Sequence, residues 1–184
     1  MVGIIKKQEW LMAALKSVHD LGLPDSYIAA GAIRDTVWNY LHGYPTTLHQ
    51  RDIDVVYFDA SDMEGKLEKS SEEILKAELP NLRWEVVNQA RAHLFKQVRG
   101  VRRPPVGSSR ESIAYWSETA TCVGVRLEDD GSLTVCAPHG LDDLMNLAVR
   151  PVPEPYQSMS LYRHRIAHKN WAKFWPRLRV YGLD

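Results

Sequence analysis

Cysteine is scarce in this 184-residue chain, with Cys122 and Cys136 the only two. A pair of thiols makes neither a disulfide framework nor a four-cysteine zinc set. Both lie in apolar, strand-like runs ("ATCVGVRL" and "SLTVCAP"), where a thiol behaves as a small hydrophobe and a reducing cytoplasm suits it. No apolar run reaches the roughly 20 residues a spanning helix needs. The opening "MVGIIKKQEW" lacks the apolar centre of a secretory signal. The expectation is therefore a cytoplasmic protein with no membrane partner. Excess charge is missing too: 23 Lys and Arg balance 23 Asp and Glu, which removes any polycation character and the nonspecific nucleic-acid binding that comes with it. There is no internal repeat and no low-complexity segment.

Several catalytic signatures are also absent. The chain holds 7 histidines but no H-E-x-x-H. His164 and His168 stand four apart on a helical stretch, yet Arg163, Arg165 and Lys169 beside them disfavour a cation, so a solvated helix face is expected. His93 follows "NQAR" and is read as a packed or capping histidine. Ser108, Ser109 and Ser112 lack an accompanying His/Asp arrangement, which leaves nucleophilic hydrolysis without support.

What is present is an alternation of helical and strand patterns. A hydrophobic content of 45% and a charged content of 25% fit one globular domain with a real core. Leu11, Ala14, Leu15, Val18 and Leu21 recur at helical spacing, and "GLP" stops that helix. "SYIAAG" is a short extended lead-in. Ile33, Val37 and Leu41, with Trp38 beside them, predict a helix over 32–42 that Gly43 and Pro45 end. "DIDVVYF" and "RWEVVNQ" read as strands, separated by a helix over 61–79 for which Ser61 and Glu64 would form a capping box. A short helix through Trp116 and a hairpin turning at "DDG" follow. "GLDDLMNLAV" holds a helical turn or two, in which Asp142 and Asp143 are either a capping pair or acids supporting a site. "RPVPEP" is an extended connector. A last amphipathic helix over 158–175, with Tyr162, Ile166, Trp171, Phe174 and Trp175 at core-like spacing, packs on the domain with a basic face bordering any cleft. The expected fold class is α/β (α+β), a single domain with a mixed central sheet flanked by helices. Residues 1–150 would form its body and 151–184 a C-terminal helix packed on it.

Chemistry gathers in "AAGAIRDTVWNYLHGYPTTLHQRDIDVVYFD", from Ala29 to Asp59. In a strand, residues two apart share a face at about 6.8 Å along the backbone, so Asp52 and Asp54 point one way while Ile53 and Val55 enter the core. Paired carboxylates repel unless a cation lies between them, and Mg²⁺ is the natural hard partner. Taken by itself D-x-D leaves a second reading open, in which these aspartates pair with Arg34 or Arg51. Gly31 begins a helix whose first turn offers unpaired N–H groups to an anion, and Arg34 lies one turn in. Asp35 is expected to favour the helix start through its dipole rather than to pair with Arg34. Glu85, between Trp84 and Val86, has the apolar–acid–apolar pattern by which a central strand aims one carboxylate out of a buried sheet. A glutamate so placed needs a partner, which makes it the candidate third acid.

"AGAIRD…RDIDVVYFD" resembles the head motif of the DNA polymerase beta-like nucleotidyltransferase superfamily. Its nearest variant is that of the tRNA nucleotidyltransferases and poly(A) polymerases, "GG-x-V-R-D…D-[IW]-D". The first glycine of that pair is Ala30 here. "WEVVNQARAHLF", "SETATCVGVRL", "GLDDLMNLAVRP" and "YRHRIAHKNWAKFWPRLRV" are similar to the stand-alone nucleotidyltransferase family proteins, over nearly the whole chain. The resemblance implies a nucleoside triphosphate substrate, with Mg²⁺ (or Mn²⁺) held by Asp52, Asp54 and Glu85. Glu85 would also help deprotonate the attacking hydroxyl. It places the β- and γ-phosphates against the Gly31 N–H and the Arg34 side chain. The acceptor is left open as a small molecule, a protein or RNA. Where relatives carry a tyrosine- and proline-rich loop, this chain has the basic "FKQVRGVRRPPVGSS", read as solvated. Ala30 motivates an alternative, a catalytically inactive nucleotide- or partner-binding module on the same fold.

Overall fold

The computed structural model describes residues 1–46, 52–94 and 104–183. Arg51, and Lys96, Arg99, Arg102 and Arg103 of the basic loop "FKQVRGVRRPPVGSS", lie outside the described residues.

Helices α1 (Val2–Ile5) and α2 (Glu9–Asp20) open the chain. The stripe Leu11, Ala14, Leu15 and Val18 is fully buried, as its period requires. Strand β1 (Tyr27–Ala29) leads into α3 (Gly31–His42), which Gly43 ends in the left-handed conformation at φ +71°. Strands β2 (Asp52–Tyr57) and β3 (Arg83–Asn88) flank α4 (Lys66–Glu78). Next come a 3₁₀ turn over Gln89–Leu94, α5 (Ser109–Ala114), a second 3₁₀ turn over Thr119–Thr121, and the hairpin β4 (Gly124–Leu127) and β5 (Leu133–Cys136). Helix α6 (Asp142–Met145), β6 (Ala148–Val149), α7 (Met159–Lys169), α8 (Trp171–Phe174) and β7 (Arg179–Val180) complete the order.

The main sheet has five strands in the order β3-β2-β1-β4-β5. β2 and β3 run parallel and every other neighbouring pair runs antiparallel, which makes the sheet mixed. Strand alternation gives it two unlike faces. On one, Ile28, Ile53, Val55, Trp84, Val86 and Val125 pack with buried residues of α2 and α3 into the main core. On the other, Tyr27, Ala29, Val56 and Cys136 form a smaller cluster with Ile113, Cys122 and Val152. Asp52 and Asp54 share the face of Val56, so the strand that fills the core through Ile53 and Val55 presents both carboxylates opposite. Cys122 and Cys136 are buried free thiols. No helix among the described residues is long and apolar enough to cross a membrane.

Three elements depart from expectation. Helix α4 begins at Lys66, because the Asp62 carboxylate accepts the Lys66 and Leu67 amides at 2.9 and 3.0 Å, a stronger start than Ser61 supplies. The last helix breaks at Asn170, which adopts the left-handed conformation at φ 46°, ψ 44° and separates α7 from α8. β3 is an edge strand, not a central one. Its Val86 and Asn88 amides are bonded instead by Glu72 and Glu68 of α4, at 3.2 and 2.9 Å, which protects the edge.

Candidate active site

A cavity of about 830 Å³ opens on the carboxylate-bearing face of the sheet. Asp52, Asp54 and Glu85 line it, together with Ala30, Gly31 and Arg34 at the start of α3. Asp54 sits directly beside Glu85 in the β2–β3 register and opposite Ala29 in β1. Adjacent strands lie about 4.8 Å apart, so the Asp54 and Glu85 side chains rise from the sheet as neighbours. Burial first, then the Glu85 and Asp52 charges, raise the Asp54 carboxyl to a pKa of about 6, against the pull of Arg34 and an N–H donated by Gly31. Burial makes its charge costly, and two like charges face it. Such a group is relieved by a proton or by a cation.

Asp52 and Glu85 are exposed side chains in this arrangement. Asp52 meets the Arg83 guanidinium at 3.2 Å, with both groups more than half exposed. An exposed pair of this kind contributes little and leaves Asp52 able to turn toward Asp54. Among the described residues, no group of three or more His, Cys, Asp or Glu side chains is gathered tightly enough to hold a metal ion. His164 and His168 lie with ring centroids 3.7 Å apart and planes tilted by 45°. Asp143 accepts the Thr119 hydroxyl at 2.6 Å and Arg150 Nε at 3.1 Å, tying α6 to the second 3₁₀ turn and to the residue after β6. His93 does not line the cavity.

Arg34 is 5% exposed and already engaged. Its Nε donates to Asp35 at 2.8 Å and its Nη1 to the Thr121 hydroxyl at 2.9 Å. The guanidinium lies 4.5 Å from the Trp171 ring centroid and 4.9 Å from that of Trp38. Asp35 therefore pairs with Arg34, contrary to the helix-dipole expectation: both are buried, and a buried guanidinium without a carboxylate would be far costlier than a lost dipole contact. At the mouth of α3, Ala30 occupies the N-cap position at φ 51°, ψ −121° without a side-chain cap.

The basic face of the last helix borders the cleft as expected, whereas the aromatic part of the wall was not foreseen. Leu161, Arg165 and Lys169 of α7 line it from the side of the C-terminal segment. Their spacing of four, which puts them on one helical face, was the available signal. Arg165 is fixed by Glu118, fully buried, through contacts of 2.6 and 3.2 Å. Tyr115, Trp116 and Tyr156 add an aromatic portion.

Comparison with known proteins agrees with this fold. A family described as nucleotidyltransferase matches residues 16–180. An NMR structure described as revealing a CCA-adding enzyme head domain is 33% identical and covers 98% of this chain and 94% of its own, with a TM-score of 0.84. A CCA-adding enzyme in complex with CTP shares the fold at 15% identity and a TM-score of 0.59, with 97% of this chain and 42% of that one covered. An apo tRNA-processing enzyme does so at 17% identity and a TM-score of 0.55, with 94% and 43% covered. This chain thus spans less than half the length of those two. The search of curated proteins gives no match. With a family match over most of its length and the overall fold of that head domain, the chain belongs to the nucleotidyltransferases.

Proposed function

We propose that this protein transfers a nucleoside monophosphate from a nucleoside triphosphate to a hydroxyl acceptor, releasing pyrophosphate, with Asp52, Asp54 and Glu85 as its acidic centre. One observation carries the reading: Asp54 and Glu85 are register neighbours on adjacent strands, Asp52 shares their face, and all three line one cavity with the mouth of α3. The donor set suits a hard divalent cation, because every candidate ligand is a carboxylate oxygen, and burial together with two neighbouring carboxylates makes the Asp54 charge costly in a way a cation would offset. Mg²⁺ (or Mn²⁺), when bound by these residues, supplies charge stabilisation at the reacting phosphate.

The rest of the cavity divides the work. Gly31 holds Asp54 through its N–H and, lacking a side chain, lets the phosphates approach the start of α3 closely. Arg34, oriented by Asp35, Thr121 and two tryptophan rings, and Arg165, fixed by Glu118, line the wall where the β- and γ-phosphates would lie. Glu85 is exposed, and in this reading its carboxylate takes the proton of the incoming hydroxyl. The acceptor is a small hydroxylated molecule, a protein or RNA.

Transfer of α-labelled nucleotide in cell extract tests the reading. Wild-type protein with Mg²⁺ should label an acceptor, and Asp54→Asn should lower the rate at least about a hundredfold, as expected when a charge-stabilising group is lost. If none of the four triphosphates with Mg²⁺ shifts the melting temperature of the wild type, the proposal fails. A second reading, a nucleotide-binding module without turnover, draws on one observation: Ala30, at φ 51°, stands at the mouth of α3 where the resembling motif has its first glycine. It would show triphosphate binding with no labelled acceptor.

A further inference from the structure

The acidic strands and the charged side chains of α3 and α7 account for only part of the cavity. A separate part of its wall is aromatic. Tyr115 and Trp116 follow the end of α5, and Tyr156 comes from the connector ahead of α7. All three are half-buried. Tyr115 and Tyr156 meet edge to face with centroids 4.7 Å apart and planes at 75°. His139, whose Nε2 bonds the Ala114 carbonyl at 2.9 Å, braces Tyr156 from another side with centroids 5.5 Å apart. Trp116 and Tyr156 both pack against the smaller core cluster, so they are held on a firm base.

Triphosphate and sugar are polar and match the charged wall. They give the aromatic rings nothing to bury. A braced, partly exposed π-surface in the same cavity has its complement in the remaining part of a nucleotide, the flat and weakly hydrated base. Resting on the proposed nucleotide reading, we infer that Tyr115, Trp116 and Tyr156 form the nucleobase subsite, which stacks the base rather than reading its edge. Stacking of this kind is tolerant of base identity, because every base has a π-face. It also supplies the affinity that a polyphosphate alone would lack, and it orients the α-phosphate from the far side of the sugar.

Calorimetric titration of the intact protein with Mg²⁺ and either ATP or ribose 5′-triphosphate isolates the base. Wild type should bind ATP about tenfold or more tightly than the baseless probe, the range expected of one stacked base. Tyr156→Leu and Trp116→Leu should each bring that ratio toward one while leaving ribose 5′-triphosphate affinity unchanged. Tyr156→Phe, which keeps the ring, should retain the ratio. Unfolding midpoints of all variants identify any that merely lose structure, and Tyr156, in a connector, is the safer position. Equal affinity of wild type for the two ligands would overturn the subsite and leave the phosphate reading standing. So would an unchanged ratio in both folded leucine variants. If neither ligand binds the wild type, the nucleotide reading itself falls and takes the subsite with it.

Discussion

Ala30 holds φ 51° and ψ −121°, a backbone region that L side chains rarely adopt, while its N–H donates to the Val123 carbonyl at 2.9 Å and its carbonyl accepts the first helical amide of α3. Both bonds fix the peptide, so the strain is imposed by its surroundings and falls where the resembling motif has its first glycine. Relief of about 1–2 kcal/mol of strain, less about 0.4–1 kcal/mol for the greater freedom of an unfolded glycine, leaves Ala30→Gly more stable by about 0.5–1 kcal/mol. Urea unfolding at equilibrium measures it, and a lower midpoint in the glycine variant would show that no strain is stored there. Asp54 gives a second expectation at this scale. Its folded pKa, about 6, is above its ordinary 3.8, so folding favours the protonated form. The stabilisation is fully present below about pH 4 and is lost as pH rises through about 6. In EDTA, Asp54→Asn should therefore be more stable than wild type by about 1–2 kcal/mol at pH 8, and this advantage should shrink as pH falls from 6 toward 4. An advantage of the same size at pH 8 and pH 4 would mean that the carboxyl is not perturbed.

At the scale of elements, what the sequence made legible was what depends on local period. Asp52 and Asp54 alternate with Ile53 and Val55, and a two-residue repeat is enough to put the acids on one face and the aliphatics in the core. The stripe of α2 and the glycine stop of α3 were legible for the same reason, since their causes lie within a turn or two. Errors arose where a distant partner decided. Glu85 reads the same in a central strand and an edge strand, because alternation says nothing of what pairs on the far side. The glutamates of α4 that cap the β3 edge are set by tertiary packing alone. Helix α4 had two plausible starts within a few residues, and the Asp62 carboxylate, accepting two amides and the Tyr57 hydroxyl, outcompetes Ser61. The Asn170 break divides a stretch that reads as one helix. Asparagine tolerates the left-handed conformation, and the chain beyond it packs Trp171 and Trp175 against Trp38, a distant contact that local period does not reveal.

That fit makes the C-terminal segment part of the whole molecule. Trp38 of α3 meets Trp171 and Trp175 edge to face, at centroid distances of 5.7 and 5.2 Å. Trp175 Nε1 donates to the fully buried Asn39 at 2.8 Å, and the buried Tyr162 hydroxyl closes on the Val149 and Tyr181 carbonyls at 3.0 and 2.6 Å. The same ring of Trp171 that packs on Trp38 covers the Arg34 guanidinium, so core and cavity share one wall. A segment joined this way should unfold with the sheet. Trp175 is fully buried, and Trp175→Ala, which leaves a large void and removes the hydrogen bond to Asn39, should cost about 3–5 kcal/mol, a large share of the roughly 5–15 kcal/mol that holds a domain together. Unfolding followed by both far-ultraviolet circular dichroism and tryptophan fluorescence should remain a single coincident transition at a lower urea midpoint. A loss under about 1 kcal/mol, or a separate early transition seen only by fluorescence, would make residues 151–184 an appendage, and Arg34, Arg165 and Lys169 would then not be held rigidly to one cavity.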